Sequence, residues 1–207
     1  NICITGGVAQ NSVINGKIVA NTPFEEIYIP SAGHDAGTAI GSALYLYHHI
    51  LGNDRLAPIT HAYSGSKFSN SDIIKWLKFV VKNIKYSKAN INYKELDDKT
   101  LIDKVSDKII DGGVIGWFQG RAEFGPRALG NRSILVDPRR RDVKDRLNGI
   151  IKGREGFRPF APSILKEKVA DYFEQSTDAP FMEKVFPIKK AKRKEIPAVT
   201  HVDGTGR

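Results

Sequence analysis

Residues 120–133 read Gly-Arg-Ala-Glu-Phe-Gly-Pro-Arg-Ala-Leu-Gly-Asn-Arg-Ser, with Arg121, Arg127 and Arg132 set among three glycines and a proline. Packing does not call for such a loop. Guanidinium forks grip phosphate or carboxylate in bidentate fashion, and Glu123 is expected to hold one fork in position. A second basic run, residues 152–162, alternates Lys152, Arg154 and Arg158 with Gly, Phe and Pro. It offers charges beside an aromatic wall, which suits a phosphate-rich ligand and equally suits contact with nucleic acid.

Two further segments lie where a strand gives way to a helix. Gly6-Gly7 precedes Val8-Ala9-Gln10-Asn11. It reads either as a phosphate cradle, with backbone N–H groups and a helix N-terminus facing an anion, or as a plain tight turn. In Pro30-Ser31-Ala32-Gly33-His34-Asp35-Ala36-Gly37, small residues leave room around Asp35. Its carboxylate is placed either to bind a cation at the carboxyl end of a strand or to cap the following helix. His34 reads as a hydrogen-bonding loop residue.

The elements that must position these groups follow from patterning. The 207 residues carry 32 Lys+Arg against 23 Asp+Glu, a net charge of +9, and 41% are hydrophobic. This excludes a disordered tail and is enough for one or two folded cores. Residues 1–60 hold Lys17 and Arg55 against Glu25, Glu26, Asp35 and Asp54, a local balance of −2 that leaves +11 for the remainder and suggests two units. The first reads strand (1–5), turn, helix (11–20), strand (26–29), loop, helix (37–50), an α/β layer with a largely parallel sheet.

A weakly patterned stretch follows, with one helix near residues 71–81 capped by Ser71. A helix over 99–110 then stops at Gly112-Gly113. Beyond it come strands at 114–118 and 133–136, a helix at 142–148, a strand at 163–165, a helix at 166–173, and strands at 181–188 and 198–202. Lys189–Lys194 reads as a solvated hairpin tip. Cys3, the single cysteine, excludes a disulfide framework and is expected to be buried and reduced. No signal peptide or membrane span is legible, so a cytoplasmic location is expected. The chain opens without Met and stops in a turn-like segment, so it is expected to be a piece of a longer protein.

The four segments, in this order, resemble the nodulation-protein-U-type O-carbamoyltransferases. The run Trp117–Arg139 is similar to that family's signature, and Phe157-Arg158-Pro159-Phe160-Ala161-Pro162 to its second hallmark. The resemblance implies residues 1–60 as the C-terminal part of an actin/hexokinase-like transferase domain. Residues 61–95 would be a connecting segment, and residues 96–207 a YrdC-like, α+β domain truncated at its C-terminus.

By that resemblance the second domain condenses carbamoyl phosphate with ATP to carbamoyl-adenylate, and the first passes the carbamoyl group to a hydroxyl-bearing small molecule. Arg127, Lys152 and Arg158 would converge on the carbamoyl and phosphate groups, with Arg121, Arg132 and Arg154 as further ligands and no covalent nucleophile. Gly6, Gly7 and Asn11 would contact the nucleotide. Asp35 matches a carboxylate that binds Fe2+ or another divalent ion beside an HxxxH pair expected upstream of Asn1; Mg2+ would accompany ATP. An Asn-Thr-Ser-Phe-Asn-like motif expected beyond Gly204 would complete the nucleotide site, so weak activity is expected of these residues alone. The alternative, from the charge of +11 after residue 60, is a basic RNA-binding module without transferase activity. The acceptor and the oligomeric state are not legible.

Overall fold

Parallel neighbouring strands require a crossover, and the first thirty residues build one. The computed structural model describes residues 1–83, 92–175 and 177–207. In it β1 (Ile2–Cys3) runs parallel to β2 (Ile27–Tyr28), with Ile2 opposite Ile27 and Cys3 opposite Tyr28. Between them Gly7–Gln10 form a single 3-10 turn and α1 (Ser12–Asn21) crosses over. Asn11 starts α1, its Oδ1 accepting the Ile14 N–H at 3.1 Å, a cap whose loss costs about 1 kcal/mol. Cys3 is exposed, contrary to expectation. Strand alternation turns Ile2 and Ile27 inward and leaves Cys3 and Tyr28 facing out.

The helix after the small-residue loop is α2 (Gly37–Tyr45), continued by a π-helical turn over Leu46–Ile50. Next comes α3 (Asn70–Asn83). Ser69, not Ser71, caps it. Ser69 Oγ accepts the Asp72 N–H and the Asp72 carboxylate accepts the Ser69 N–H at 3.0 Å, a reciprocal pair that needs its acid three residues after the cap. The expected connecting segment, 61–95, lies partly outside the described residues. Asp97 caps α4 (Asp98–Ile110), whose exit is closed by the Gly113 N–H on the Lys108 carbonyl.

The hairpin β3 (Ile115–Phe118) and β4 (Arg132–Leu135) is antiparallel and brackets the Gly/Arg loop. There follow α5 (Val143–Arg146) with a π-helical turn over Leu147–Ile151, and α6 (Val169–Tyr172) after a 3-10 turn. The final pair is β5 (Phe186–Pro187) with β6 (Thr205–Gly206). Residues 163–165 and 198–202 are not strands. Their apolar residues serve packing instead: Ile196 and Val199 join Phe173, Phe186 and Ile188 in one core cluster, with Ile164 against it. The turn-like end forms β6. The basic run is only partly solvated, since Lys192 pairs with Glu195 and Arg193 Nε donates to the Ile188 carbonyl at 2.9 Å.

The architecture is thus mixed α/β, parallel at the start and antiparallel thereafter, with three two-stranded sheets among the described residues. No described helix is long and apolar enough to cross a membrane. The two ends of the chain are bonded together. Val185 donates its N–H to the Ser12 carbonyl at 3.0 Å, and a Cβ at Gly16 would overlap the Val185 carbonyl. Asn15, 2% exposed, gives its two Nδ2 hydrogens to the carbonyls of Ala9 and Glu183, each at 2.8 Å.

Replacing Asn15 by Ala leaves two buried carbonyls without donors and is expected to cost on the order of 2–4 kcal/mol in urea unfolding. A loss below about 0.5 kcal/mol would show that the two ends are not held through this side chain. A second expectation concerns pH. Hydrogen bonds from Arg139 hold the buried Asp137 carboxyl below its ordinary range, with the Arg139 and Arg140 charges adding to the effect. This stability is present above the unfolded carboxyl pKa and is lost as pH falls through the folded one. Asp137→Asn should therefore lower stability at pH 7 and flatten its decline toward pH 3, read from unfolding midpoints.

Candidate active site

Where the two ends meet, Gln10 and Ala9 from the first turn and Ile29, Pro30 and Ser31 after β2 face Pro126, Arg127, Phe181, Met182, Glu183 and Arg207. They enclose a cavity of about 10 Å³, room for one water. Two of its walls are cationic. Arg127 is half-buried and its Nε, fully out of solvent, has no hydrogen-bond partner among the described residues. Burial pushes its guanidinium below the ordinary value. Arg207 is pushed down to about 10, by burial and then by the Arg127 charge, with Glu183 opposing; it stays charged at neutral pH.

The rest of the cavity is built to tolerate this pair. Met182 adopts φ 58, a left-handed backbone that a side chain resists, and its carbonyl accepts Arg207 Nε at 2.7 Å. Glu183, 7% exposed, is the one acid in the lining. Burial raises its pKa against the pull of the Phe181 N–H, which it accepts at 2.8 Å. Backbone strain and a carboxyl disfavoured by burial, meeting at one cavity, make it the candidate site.

Arg127 reaches the cavity from the apex of the Gly/Arg loop, and the other arginines of that loop are tied elsewhere. The Arg132 guanidinium lies 3.5 Å over the Phe118 ring and donates to the carbonyls of Gln119, Gly120, Asn131 and Ser66. Arg121 donates to the Gly65 carbonyl at 3.0 Å. Segment 62–66 lies alongside in a ladder, with Gly65 and Ala122 bonded at 2.9 Å. Glu123 grips no guanidinium, contrary to expectation. Its Oε1 accepts the N–H groups of Leu129 at 2.6 Å and Asn131 at 2.8 Å, with Arg132 N at 3.4 Å. Burial acts to raise its pKa, but these amides outweigh it and the carboxyl sits below its ordinary value.

The second basic run lines a separate, open depression of about 550 Å³, formed by Gly149, Gly153, Arg154, Glu155 and Arg158. Arg158 is paired with Glu155 at 2.7 Å, and Arg154 donates to Asn148 Oδ1 at 2.7 Å while lying over the Phe160 ring. Lys152 is exposed and lines neither the depression nor the cavity. The expected convergence of Arg127, Lys152 and Arg158 on one pocket is therefore not what the structure shows. Asn148 Nδ2 donates to the carbonyls of Gly156 and Arg158, fixing the turn that borders the depression.

In the first unit, Gly6 and Gly7 have open space where a Cβ would stand, so a ligand can approach their backbone. The Asn11 Oδ1 is spent on the cap of α1. Asp35 is exposed and its side chain does not cap α2, whose N-cap is Ala36; only its carbonyl is used, by Thr38. No group of three or more His, Cys, Asp or Glu residues able to hold a metal occurs among the described residues. One carboxylate does not fit a metal centre. His34 Nδ1 is buried without a partner among the described residues.

Two groups escaped the sequence reading. Arg207 follows Gly204-Thr205-Gly206 and was legible only as the close of a turn; its isolation behind two glycines is the signal that marks it. Glu183 carries no sequence signal, because its meaning depends on Arg127 and Arg207, distant in sequence.

Two family models match the chain, "Carbamoyltransferase N-terminus" over residues 1–44 and "Carbamoyltransferase C-terminus" over residues 106–207. Several curated proteins align with all of the chain. The nodulation protein NolNO of Sinorhizobium fredii is 41% identical over 30% of its own length, and the nodulation protein NolO of Bradyrhizobium diazoefficiens 40% over 37%. An uncharacterized Synechocystis protein is 41% identical over 36% of its length. The chain thus spans about a third of the length of the curated relatives it matches. With the signature loop, the cavity it feeds and both family matches in one order along the sequence, this chain belongs to the carbamoyltransferase family, in its nodulation-protein-U-type branch.

Proposed function

We propose that the protein is an ATP-dependent O-carbamoyltransferase in which residues 96–207 belong to a YrdC-like domain that makes carbamoyl-adenylate, and residues 1–60 to an actin/hexokinase-like domain that passes the carbamoyl group to a hydroxyl compound. The observation that carries this reading is the pairing of Arg127 with Arg207 in one small cavity. Two adjacent guanidinium groups with a single buried carboxylate favour a bound anion, which would relieve both their repulsion and their desolvation.

Carbamoyl phosphate supplies such an anion. For the reaction to proceed, water must cleave the bond between the carbamoyl oxygen and its phosphorus, releasing inorganic phosphate. The freed carbamate oxygen must then attack the α-phosphorus of ATP and expel pyrophosphate, so negative groups are brought together and charge grows in the transition state. Fixed guanidinium groups oppose that cost without reorganising. Arg154 and Arg158 border the open depression and Lys152 stands exposed in the same loop; these three are assigned to the phosphate groups of the second reactant. Gly6 and Gly7, open to approach, are assigned to the nucleotide portion in the transfer step. The RNA-binding alternative gains nothing here, because Arg121 and Arg132 donate to backbone carbonyls rather than standing in a continuous basic face.

The reading is tested in the complete gene product by carbamoyl-phosphate-dependent pyrophosphate release. Arg127→Ala and Arg207→Ala should each lower kcat/KM about a hundredfold or more while leaving the thermal midpoint near that of the wild type. Arg132→Ala should instead lose about 2 kcal/mol of stability, because its carbonyl partners lose their donors. Wild-type turnover in Arg127→Ala rejects the assignment.

A further inference from the structure

The cavity depends on a side chain that never enters it. We propose that Glu123 is the positioning residue for Arg127: its carboxylate closes the base of the signature loop and so sets where the Arg127 guanidinium stands. This inference rests on the carbamoyl-phosphate reading of the cavity.

Glu123 Oε1 gathers the amides of Leu129 and Asn131, drawing the two ends of residues 123–131 onto one oxygen. Such a bond from a backbone amide to an ionised acceptor is short and strong. The loop's far side is fixed independently. Ser31 Oγ donates to the Phe124 carbonyl at 2.9 Å. Gly125 has φ 146 and packs so near the Ser31 carbonyl that any Cβ there would overlap it. Arg127 lies between these two clamps, two residues beyond Gly125 and two before Leu129.

Arg127 has no polar anchor at its own Nε, so its location is inherited from the backbone. Releasing the base would let residues 126–129 shift while the Ser31 contact persists. The guanidinium would then move relative to Arg207, which is held separately by the Met182 carbonyl. Glu123 itself lines neither the cavity nor the open depression, and its effect is transmitted only through the loop.

The test uses the complete gene product below the thermal midpoint of every variant. Glu123→Ala should raise KM for carbamoyl phosphate about tenfold or more with KM for ATP nearly unchanged. Glu123→Gln, which keeps an acceptor oxygen for the same amides, should recover most of the loss. Should Glu123→Ala not fold, Glu123→Asp, one methylene shorter, should show an intermediate rise. Inorganic phosphate binding by calorimetry gives a readout free of turnover, and Glu123→Ala should weaken it as Arg127→Ala does. Wild-type KM in Glu123→Ala or in Glu123→Asp, equal losses toward both substrates, or a Gln variant as impaired as Ala would each overturn the positioning role. If the wild type shows no carbamoyl-phosphate-dependent release while phosphate binding still falls in Glu123→Ala, the positioning role stands and the reading of the substrate falls.

Discussion

Like charges do not share a cavity without a reason, and Arg127 and Arg207 share one. Much of the local structure reads as the means of holding them there. Arg207 is secured by a carbonyl that Met182 turns inward through an unfavourable backbone angle. Arg127 has no such partner and depends on the loop beneath it. Glu183 supplies partial compensation but is itself raised in pKa by burial, so it is a poor permanent counter-ion. Both cations and their one acid are thus individually disfavoured by burial, and any anion that bound between the guanidinium groups would stabilise the arrangement.

The neighbouring arginines show why counting cations does not locate a site. Arg132 has the composition of a phosphate ligand and the wiring of a structural staple: a planar guanidinium over Phe118, with donors aimed at four carbonyls. Those carbonyls belong to a loop that cannot satisfy them by a regular ladder, and a rigid fork answers that need better than a lysine would. The charge of the loop therefore serves two purposes, and the arginine whose buried Nε has no partner among the described residues is the one that lines the cavity.

What could be read from the sequence follows the range of the interactions involved. Helix starts at Asn11 and stops at Gly112-Gly113 are local events encoded within a few residues, and they fall where expected. The capping box at Ser69 was missed by two residues because Ser71 is an equally good cap in isolation, and only the reciprocal bond with Asp72 decides between them. The apolar run near Val199 was mistaken for a strand because β-branched residues suit a pleated surface and a packed turn alike. Cys3 faces out because β1 and β2 form a two-stranded pair, a fact of topology. Within the site, Arg127 was legible from its loop. Arg207 was not, since its role comes from residues far away in sequence.

The same dependence on distant residues ties the cavity to the integrity of the whole chain. Its walls come from the Gly-Gly turn, the Ser31 loop, the signature loop and the last residue described, and the contacts that join these walls are few and specific. Asn15 bonds the carbonyl of Ala9, which lines the cavity, to that of Glu183, which also lines it. An anion that draws Arg127 and Arg207 together must act on these same contacts, because with room for a single water the cavity cannot admit a phosphate-sized group without displacing part of its wall. Because Ala9 and Glu183 both line the cavity and share the Asn15 side chain, a ligand that displaces one wall acts on the contacts that place the other, and linkage of this kind is reciprocal.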